Sequence, residues 1–497
     1  MKLEKLLDRV PCEKINYQNI DIDSISIDSR KTVPNSLFIA WKGVNIDSHV
    51  FIESAIQQGA SAIVAEKEEN IPLGIPFIKV EDGREAYSLI VQNYYNKPAN
   101  NMDLIGVTGT TGKTTIAFLI YALLNDLGIK TGLIGTSGYY SGTTQINALL
   151  KGPVTTPEPM ELNDLFSKMF KDNCHAVVME ASSFGLEQKR LFGLSFRQAI
   201  LSNLSYNHHI NYHHGMKGYI TAKEQLFKQL QTDGIGIINM DTEYKDDFHA
   251  PTQKLKIVGT QEGADYRIHD FYQSKECGIS FSLQMEDVFY KITSPLSGFH
   301  QAYNLSEAFI SLLHFGFEPK KIISSISRIE SIPGRWHFIK SSLPFSVLID
   351  KANTPIAIKS IIPLLESQHY ANHILVFGNV GGGDSLERRM MAKLFYDSFH
   401  TIIVTTDDPE DEDPMEGIID FLNGISGFDS SRVIIELDRK KAIQIALKKA
   451  RVNDLVAILG RGNQREFLEK GKTREFDDIV VTDSLLREME KNSETAS

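Results

Sequence analysis

Residues 104–115 read L-I-G-V-T-G-T-T-G-K-T-T, an apolar strand running into a glycine turn and then a helix. Gly106, Gly109 and Gly112 let successive backbone N–H groups point into one concavity. Lys113 supplies a point charge, and the Thr114 hydroxyl can ligate magnesium. With Thr110, Thr111 and Thr115 the stretch makes a phosphate cradle suited to ATP. The usual P-loop has glycine five positions before its G-K pair, where this chain has Val107, so the cradle is a variant. An ordinary glycine-rich strand-to-helix turn looks similar, but G-K-T-T at the mouth of an apolar helix over 116–124 favours the nucleotide.

The 497 residues are enough for roughly two to four domains, and 42% hydrophobic content gives each a core. A net charge of -11 argues against nucleic acid and against an anionic membrane surface. Cys12, Cys174 and Cys277 are scattered and form neither a C-x-x-C pair nor a disulfide framework, which fits reduced thiols in a cytoplasmic protein. The start M-K-L-E-K-L-L-D-R-V has no apolar signal core, and no later run is long enough to span a bilayer. A cytoplasmic monomer without membrane insertion is expected.

From 25 to 66 short apolar strands alternate with one amphipathic helix, giving a small α/β domain in which Ser29, Arg30, Asn45 and Asp47 suit turns and caps. The polar stretch 96–103, N-K-P-A-N-N-M-D, marks the first boundary. After the phosphate loop come K-T-G-L-I-G-T-S-G-Y-Y, a turn around Thr155 and Thr156, and a helix over 160–171, the alternation of a doubly wound sheet. The run A-V-V-M-E-A-S-S ends its strand at Glu180, a carboxylate at the ligand-binding edge that serves equally as a cap or a magnesium ligand.

His208, His209, His213 and His214 crowd one loop; without a nearby cysteine or H-E-x-x-H, a magnesium neighbour is more economical than zinc. A helix over 217–230 sets Lys223 next to its apolar side, where lysines ordinarily snorkel to water. Residues 265–295 alternate aromatic and polar, as an antiparallel edge hairpin does, and helical periodicity returns over 302–315. S-I-P-G-R-W-H breaks that periodicity at the second boundary. Beyond it four strands end in polar turns, D-K-A-N-T-P, G-N-V-G-G-G-D, D-D-P-E-D-E-D-P and G-R-G-N-Q, which would form a ligand rim. The glycines 381–383 lack a G-x-G-x-x-G fingerprint, so a dinucleotide site is not expected.

Taken in order, D-S-R, G-T-T-G-K-T-T, T-T-P-E, M-E-A-S-S, N-L-S-x-N-H, Y-I-T-A-K-E-Q-L-F, P-G-R, D-x-A-N-T-P, D-D-P-E and G-R-G-N-Q resemble the Mur ligase family over nearly the whole chain. The closest resemblance is to the type that adds the third residue to UDP-N-acetylmuramoyl-L-alanyl-D-glutamate for peptidoglycan. It implies an α/β fold of three domains: 1–100 binding the UDP-sugar, 101–335 a central parallel-sheet P-loop domain binding ATP, and 336–497 a Rossmann-like domain binding the amino acid.

The resemblance further implies UDP-sugar contacts at Ile27, Ser29, Val44, Asn45 and Ile46, and muramoyl-peptide contacts at Thr155, Thr156, Ser182, Gln188 and Arg190. Thr114 and Glu180 would hold one magnesium, and Lys223, carbamylated, would bridge to a second that His208 approaches. Catalysis would rest on Lys113, Glu180, His208 and Lys223. Asn304, Arg335 and Asp350 would reach the nucleotide, and Arg389, Asp407, Asp408, Pro409, Glu410, Gly460 and Gln464 the amino acid. The chain departs from the family pattern at Phe184, Asn207, Lys351, Asn353 and Gln464.

Family members that take meso-diaminopimelate carry an arginine in D-N-P-R, where this chain has Glu410 among Asp408, Asp411, Glu412 and Asp413. Lysine or ornithine is therefore expected as the amine. A ligase acting on a different acid is the main alternative. A nucleotide-binding scaffold would have no reason to keep Lys223, and a P-loop GTPase would need an aspartate after N-K-P that is missing.

Overall fold

The computed structural model describes residues 1–496 apart from 44–45, 69–70, 73, 148–153, 207–209, 211, 251–253, 275–277, 330, 367 and 428. The chain forms two compact units: residues 1–267 with 307–316, and residues 268–306 with 317–497.

The first unit holds two sheets. The smaller orders its strands Glu13–Ile15, Phe77–Lys79, Ala60–Ala65, Ser36–Ala40 and Ser24–Ser26, parallel except for the first pair. The larger is built on Asp103–Thr108. It is flanked by Ala176–Glu180 and Thr131–Gly135 on one side and by Phe196–Leu201, Leu230–Asn239 and Leu255–Gly259 on the other, all parallel. These strands are near-continuous apolar runs because helices cover both faces. On one face the helix Lys113–Asp126 buries Ile116, Leu119, Ile120, Leu123 and Leu124. On the other, Met216–Lys228 approaches so closely that a Cβ on Gly106 would lie 2.6 Å from Leu226 Cδ1.

In the second unit Ile279–Met285 and Val288–Ser294 form the antiparallel hairpin expected from the alternating pattern. A six-stranded sheet follows in the order His337–Ile339, Ser346–Asp350, Leu455–Leu459, His373–Asn379, Thr401–Thr406 and Val433–Ile435, parallel except for its first pair. The four polar turns anticipated as a rim thus leave the carboxyl ends of adjacent strands. Beneath them Arg439 and Asp478, both fully buried, pair through two hydrogen bonds of 2.8 and 2.7 Å. No helix among the described residues is long and apolar enough to cross a membrane.

Glu307, in the helix His300–His314, is fully buried, and neither carboxylate oxygen has a hydrogen-bond partner among the described residues. Burial pushes its carboxyl well above the usual range. The folded chain therefore keeps this proton above about pH 4.3, where the unfolded chain releases it, and stability falls as pH rises through that window. Urea unfolding at about pH 5 and about pH 8 should show wild type losing more stability than Glu307→Gln. Equal losses would mean that Glu307 is not held protonated.

Candidate active site

The phosphate loop spans the turn between Asp103–Thr108 and Lys113–Asp126. Gly109 and Gly112 take φ of +146° and +81°, and a Cβ on Gly109 would collide with Ser202 Oγ. Ser202 Oγ donates to Thr111 O at 2.6 Å, and Asn203 accepts from Thr111 N at 3.0 Å. The loop is thus braced from the neighbouring strand's end, where Thr110 N also donates to Asn203 O at 2.9 Å.

Lys113 Nζ and Lys223 Nζ both donate to Gly109 O, at 2.8 and 2.9 Å. Lys223 does not snorkel: it is 1% exposed and lies 4.3 Å from the centre of the Tyr219 ring. Burial, and after it the Lys113 ammonium, push the Lys223 amine well below its ordinary value. Tyr219 also donates to Thr110 Oγ1 at 3.2 Å, tying this helix to the phosphate loop.

Glu180 ends its strand as expected and is buried. Its carboxylate accepts from Thr114 Oγ1 at 2.9 Å and Thr136 N at 2.7 Å, and a Cβ on Gly135 would overlap it. Two hard oxygen ligands side by side at the phosphate loop fit magnesium, which takes one or two protein ligands plus substrate oxygens. Among the described residues no group of three or more His, Cys, Asp or Glu could hold a metal. His208, like Val44 and Asn45, lies outside the described residues.

One cavity of about 290 Å³ brings the lysines together with residues expected at the muramoyl peptide; Gly109, Lys113, Thr155, Thr156, Arg190 and Lys223 are among its lining. Ser182 lines it too and caps the helix Ser183–Glu187 by accepting from Gly185 N at 3.0 Å. Thr156 Oγ1 bridges Glu180 O and Ser182 N, both at 2.9 Å, and Arg190 donates to Thr156 O at 2.6 Å. Phe184 forms an apolar wall of the cavity. Ile27, buried Ser29 and exposed Ile46 belong to the smaller sheet's side of the unit and do not line it.

Asn304, Arg335 and Asp350 lie in the second unit. Asn304 donates to Gln301 at 2.9 Å. Burial raises the Asp350 carboxyl, opposed by Arg335 and by the N–H groups of Trp336 and Ala352, which donate to it at 2.7 and 2.8 Å.

The acidic turn of this unit is built on Arg461, fully buried and paired with Asp407 at 2.5 Å and Asp408 at 2.7 Å. Asp407 is therefore beneath the rim, its carboxyl raised by burial against the pull of Arg439 and Arg461. Gly460, at φ +111°, leaves space beside it, and Gln464 N donates to Arg461 O at 3.2 Å. Glu410 is exposed, with its N–H on Leu468 O and φ of +52°. Pro409 O packs where a Cβ on Gly381 would be. Arg389 is half exposed near Asp420 at 3.6 Å, whereas Arg388 is buried and grips Glu412 at 2.6 and 2.7 Å. That grip holds the Glu412 carboxyl below its usual range.

Tyr219, Thr136, Ser202, Asn203 and Arg388 are the participants that sequence reading missed. Asn203 and Tyr219 open two of the motifs quoted above, and Tyr219 stands one helical turn before Lys223; the other three carried no signal.

The Mur ligase family, catalytic domain, matches residues 21–104; the Mur ligase middle domain matches 107–312; and the Mur ligase, glutamate ligase domain, matches 334–462. A UDP-N-acetylmuramoyl-L-alanyl-D-glutamate–2,6-diaminopimelate ligase of Syntrophomonas wolfei is 32% identical over 491 residues, covering 98% of this chain and 99% of that protein. A solved structure of a ligase with the same name aligns with a TM-score of 0.66 at 27% identity, over 99% of this chain and 100% of that one. The Thermotoga maritima MurF ligase in complex with ADP shares the fold, with a TM-score of 0.57 at 17% identity over 95% and 98% of the two chains. The α/β fold class is borne out, and the three Mur ligase domain models match one after another along the chain.

Gly109→Ala should cost at least about tenfold in nucleotide affinity by titration calorimetry, because the new Cβ displaces the brace at Ser202. Unchanged affinity would show that the loop tolerates a side chain there.

Proposed function

This chain belongs to the Mur ligase family, and from that premise we propose that it is an ATP- and magnesium-dependent ligase joining an amino acid to UDP-N-acetylmuramoyl-L-alanyl-D-glutamate in cytoplasmic peptidoglycan precursor synthesis. The observation that carries this reading is the single cavity in which Lys113 and Lys223 meet Arg190, Thr155 and Thr156. Phosphate and carboxylate are both anions, and those are the groups such a cavity would gather. Residues 1–100, 101–335 and 336–497 then serve the UDP-sugar, ATP and the amino acid, with Ile27, Ser29, Val44, Asn45 and Ile46 at the uridine end.

In this reading the acceptor carboxylate attacks the γ-phosphorus of ATP and ADP leaves. The amine then attacks the resulting acyl phosphate and releases inorganic phosphate, so that no covalent enzyme intermediate is required. Lys113 and the loop N–H groups hold the phosphates where charge grows, and Arg190 orients the carboxylate. Thr114 and Glu180, with His208 and a carbamylated Lys223, would hold magnesium, whose chemistry is to screen phosphate oxygens. Tyr219 and Gly109 O fix the Lys223 nitrogen where that modification would serve.

For the amine, the names of the relatives specify diaminopimelate and do not support lysine or ornithine; that preference rests on this chain's own turn. Glu412 is neutralised by Arg388, whereas Glu410 stays exposed on a backbone clamped by the hairpin Glu466–Glu469 and Lys472–Glu475. A fixed carboxylate favours a cationic side chain and repels a second carboxylate. A different acid as acceptor is the second reading, favoured by Phe184, which gives the acceptor cavity an apolar wall.

Phosphate release and product mass, measured across nucleotide-sugar peptides crossed with amino acids, should show turnover with UDP-muramoyl dipeptide and more of it with lysine or ornithine than with diaminopimelate. Equal or better turnover with diaminopimelate refutes the amine assignment, and no turnover with this acceptor favours the second reading. Lys223→Ala should lose turnover and regain part of it with short carboxylic acids; full activity without rescue would remove Lys223 from the site.

A further inference from the structure

The loop between the strand Phe196–Leu201 and the helix Met216–Lys228 carries a tyrosine that neither the nucleotide nor the acceptor assignment uses. The Tyr212 phenol oxygen accepts from Gln188 Nε2 at 3.1 Å. Gln188 Oε1 in turn accepts from Arg190 Nε at 3.1 Å and from an Arg190 terminal nitrogen at 2.6 Å. Arg190 is held as well by Thr156 O at 2.6 Å and Glu158 at 2.7 Å. Lys189, between the two, takes a φ of +59°, the tight reversal that lets Gln188 reach back to its near neighbour.

Tyr212 is itself placed. Its ring centre lies 4.2 Å from that of Phe184 and 5.0 Å, edge-on, from that of His213. His213 is buried and pairs with Glu187 at the end of the helix that Ser182 caps. The same loop touches the phosphate cradle at its other end, where Ser205 N donates to Thr110 Oγ1 at 3.1 Å. One segment therefore supports both the cradle and the acceptor arginine.

A free arginine gives up rotamer entropy when it is ordered, a cost that a preset guanidinium does not meet on binding. We propose that Tyr212 is a positioning residue for the acceptor: acting through Gln188, it fixes Arg190 in the cavity before the acid substrate arrives. This rests on the reading that the acceptor carboxylate sits at Arg190. The tyrosine hydroxyl is the part of the relay that can be removed without disturbing the packing against Phe184.

Tyr212→Phe keeps the ring and deletes the accepting oxygen. In the full ligand-free chain, the Arg190 side-chain Nε–H signal, assigned with Arg190→Lys, should show a lower order parameter in Tyr212→Phe than in wild type. The KM for the acid substrate should rise about five- to tenfold while the KM for ATP moves less than about twofold. Gln188→Ala should reproduce the effect, and the double variant should be no worse than either single one. A merely structural tyrosine would raise both KM values together and lower the melting temperature instead. An unchanged Arg190 signal, or an unchanged acid KM in Tyr212→Phe while Arg190→Ala raises it, overturns the relay. If Arg190→Ala leaves the acid KM unchanged, the acceptor assignment itself is what fails.

Discussion

Two ammonium groups share one carbonyl oxygen in this protein, and the rest of the site follows from that crowding. Lys113 and Lys223 both end on Gly109 O, one from the helix that begins at the cradle and the other from a helix on the opposite face of the sheet. Like charges so close, one of them fully buried, are tolerable only where one gives up its proton or anions occupy the space between them. Position 109 takes glycine because a Cβ there would strike Ser202 Oγ, and Ser202 and Asn203 keep the loop in place around it.

The second unit shows the opposite arrangement. Its buried cations, Arg461, Arg439 and Arg388, are consumed by Asp407, Asp408, Asp478 and Glu412, so they build the rim and do not bind from it. What remains exposed on that turn is acidic. A pocket that gathers Lys113, Lys223 and Arg190 and a rim with an exposed carboxylate are complementary to the two halves of a ligation: anionic phosphate and acid for one, an amine for the other.

Much of this was legible in the sequence. The cradle announced itself by glycines spaced before G-K-T-T, Glu180 by an apolar run that stops at a strand edge, and the rim by four strands ending in polar turns. Lys223 shows the limit. Its helical position put it beside the apolar face, where local pattern predicts a solvated amine, and only packing across 114 residues of sequence brings it to Gly109. Tyr212, Thr136 and Arg388 were invisible for the same reason, since each acts through a partner far along the chain or through a turn whose shape the residue types do not state. Asp407 was assigned to the rim by its motif, yet burial and Arg461 put it underneath.

The claim on which the account stands is that the site moves a phosphoryl group onto a carboxyl oxygen. Turnover with acid substrate labelled with oxygen-18 in the reacting carboxylate tests this directly, by mass analysis of the inorganic phosphate released. The account predicts one labelled oxygen transferred to phosphate per turnover. Phosphate that carries no label, formed alongside the amide product, would contradict it.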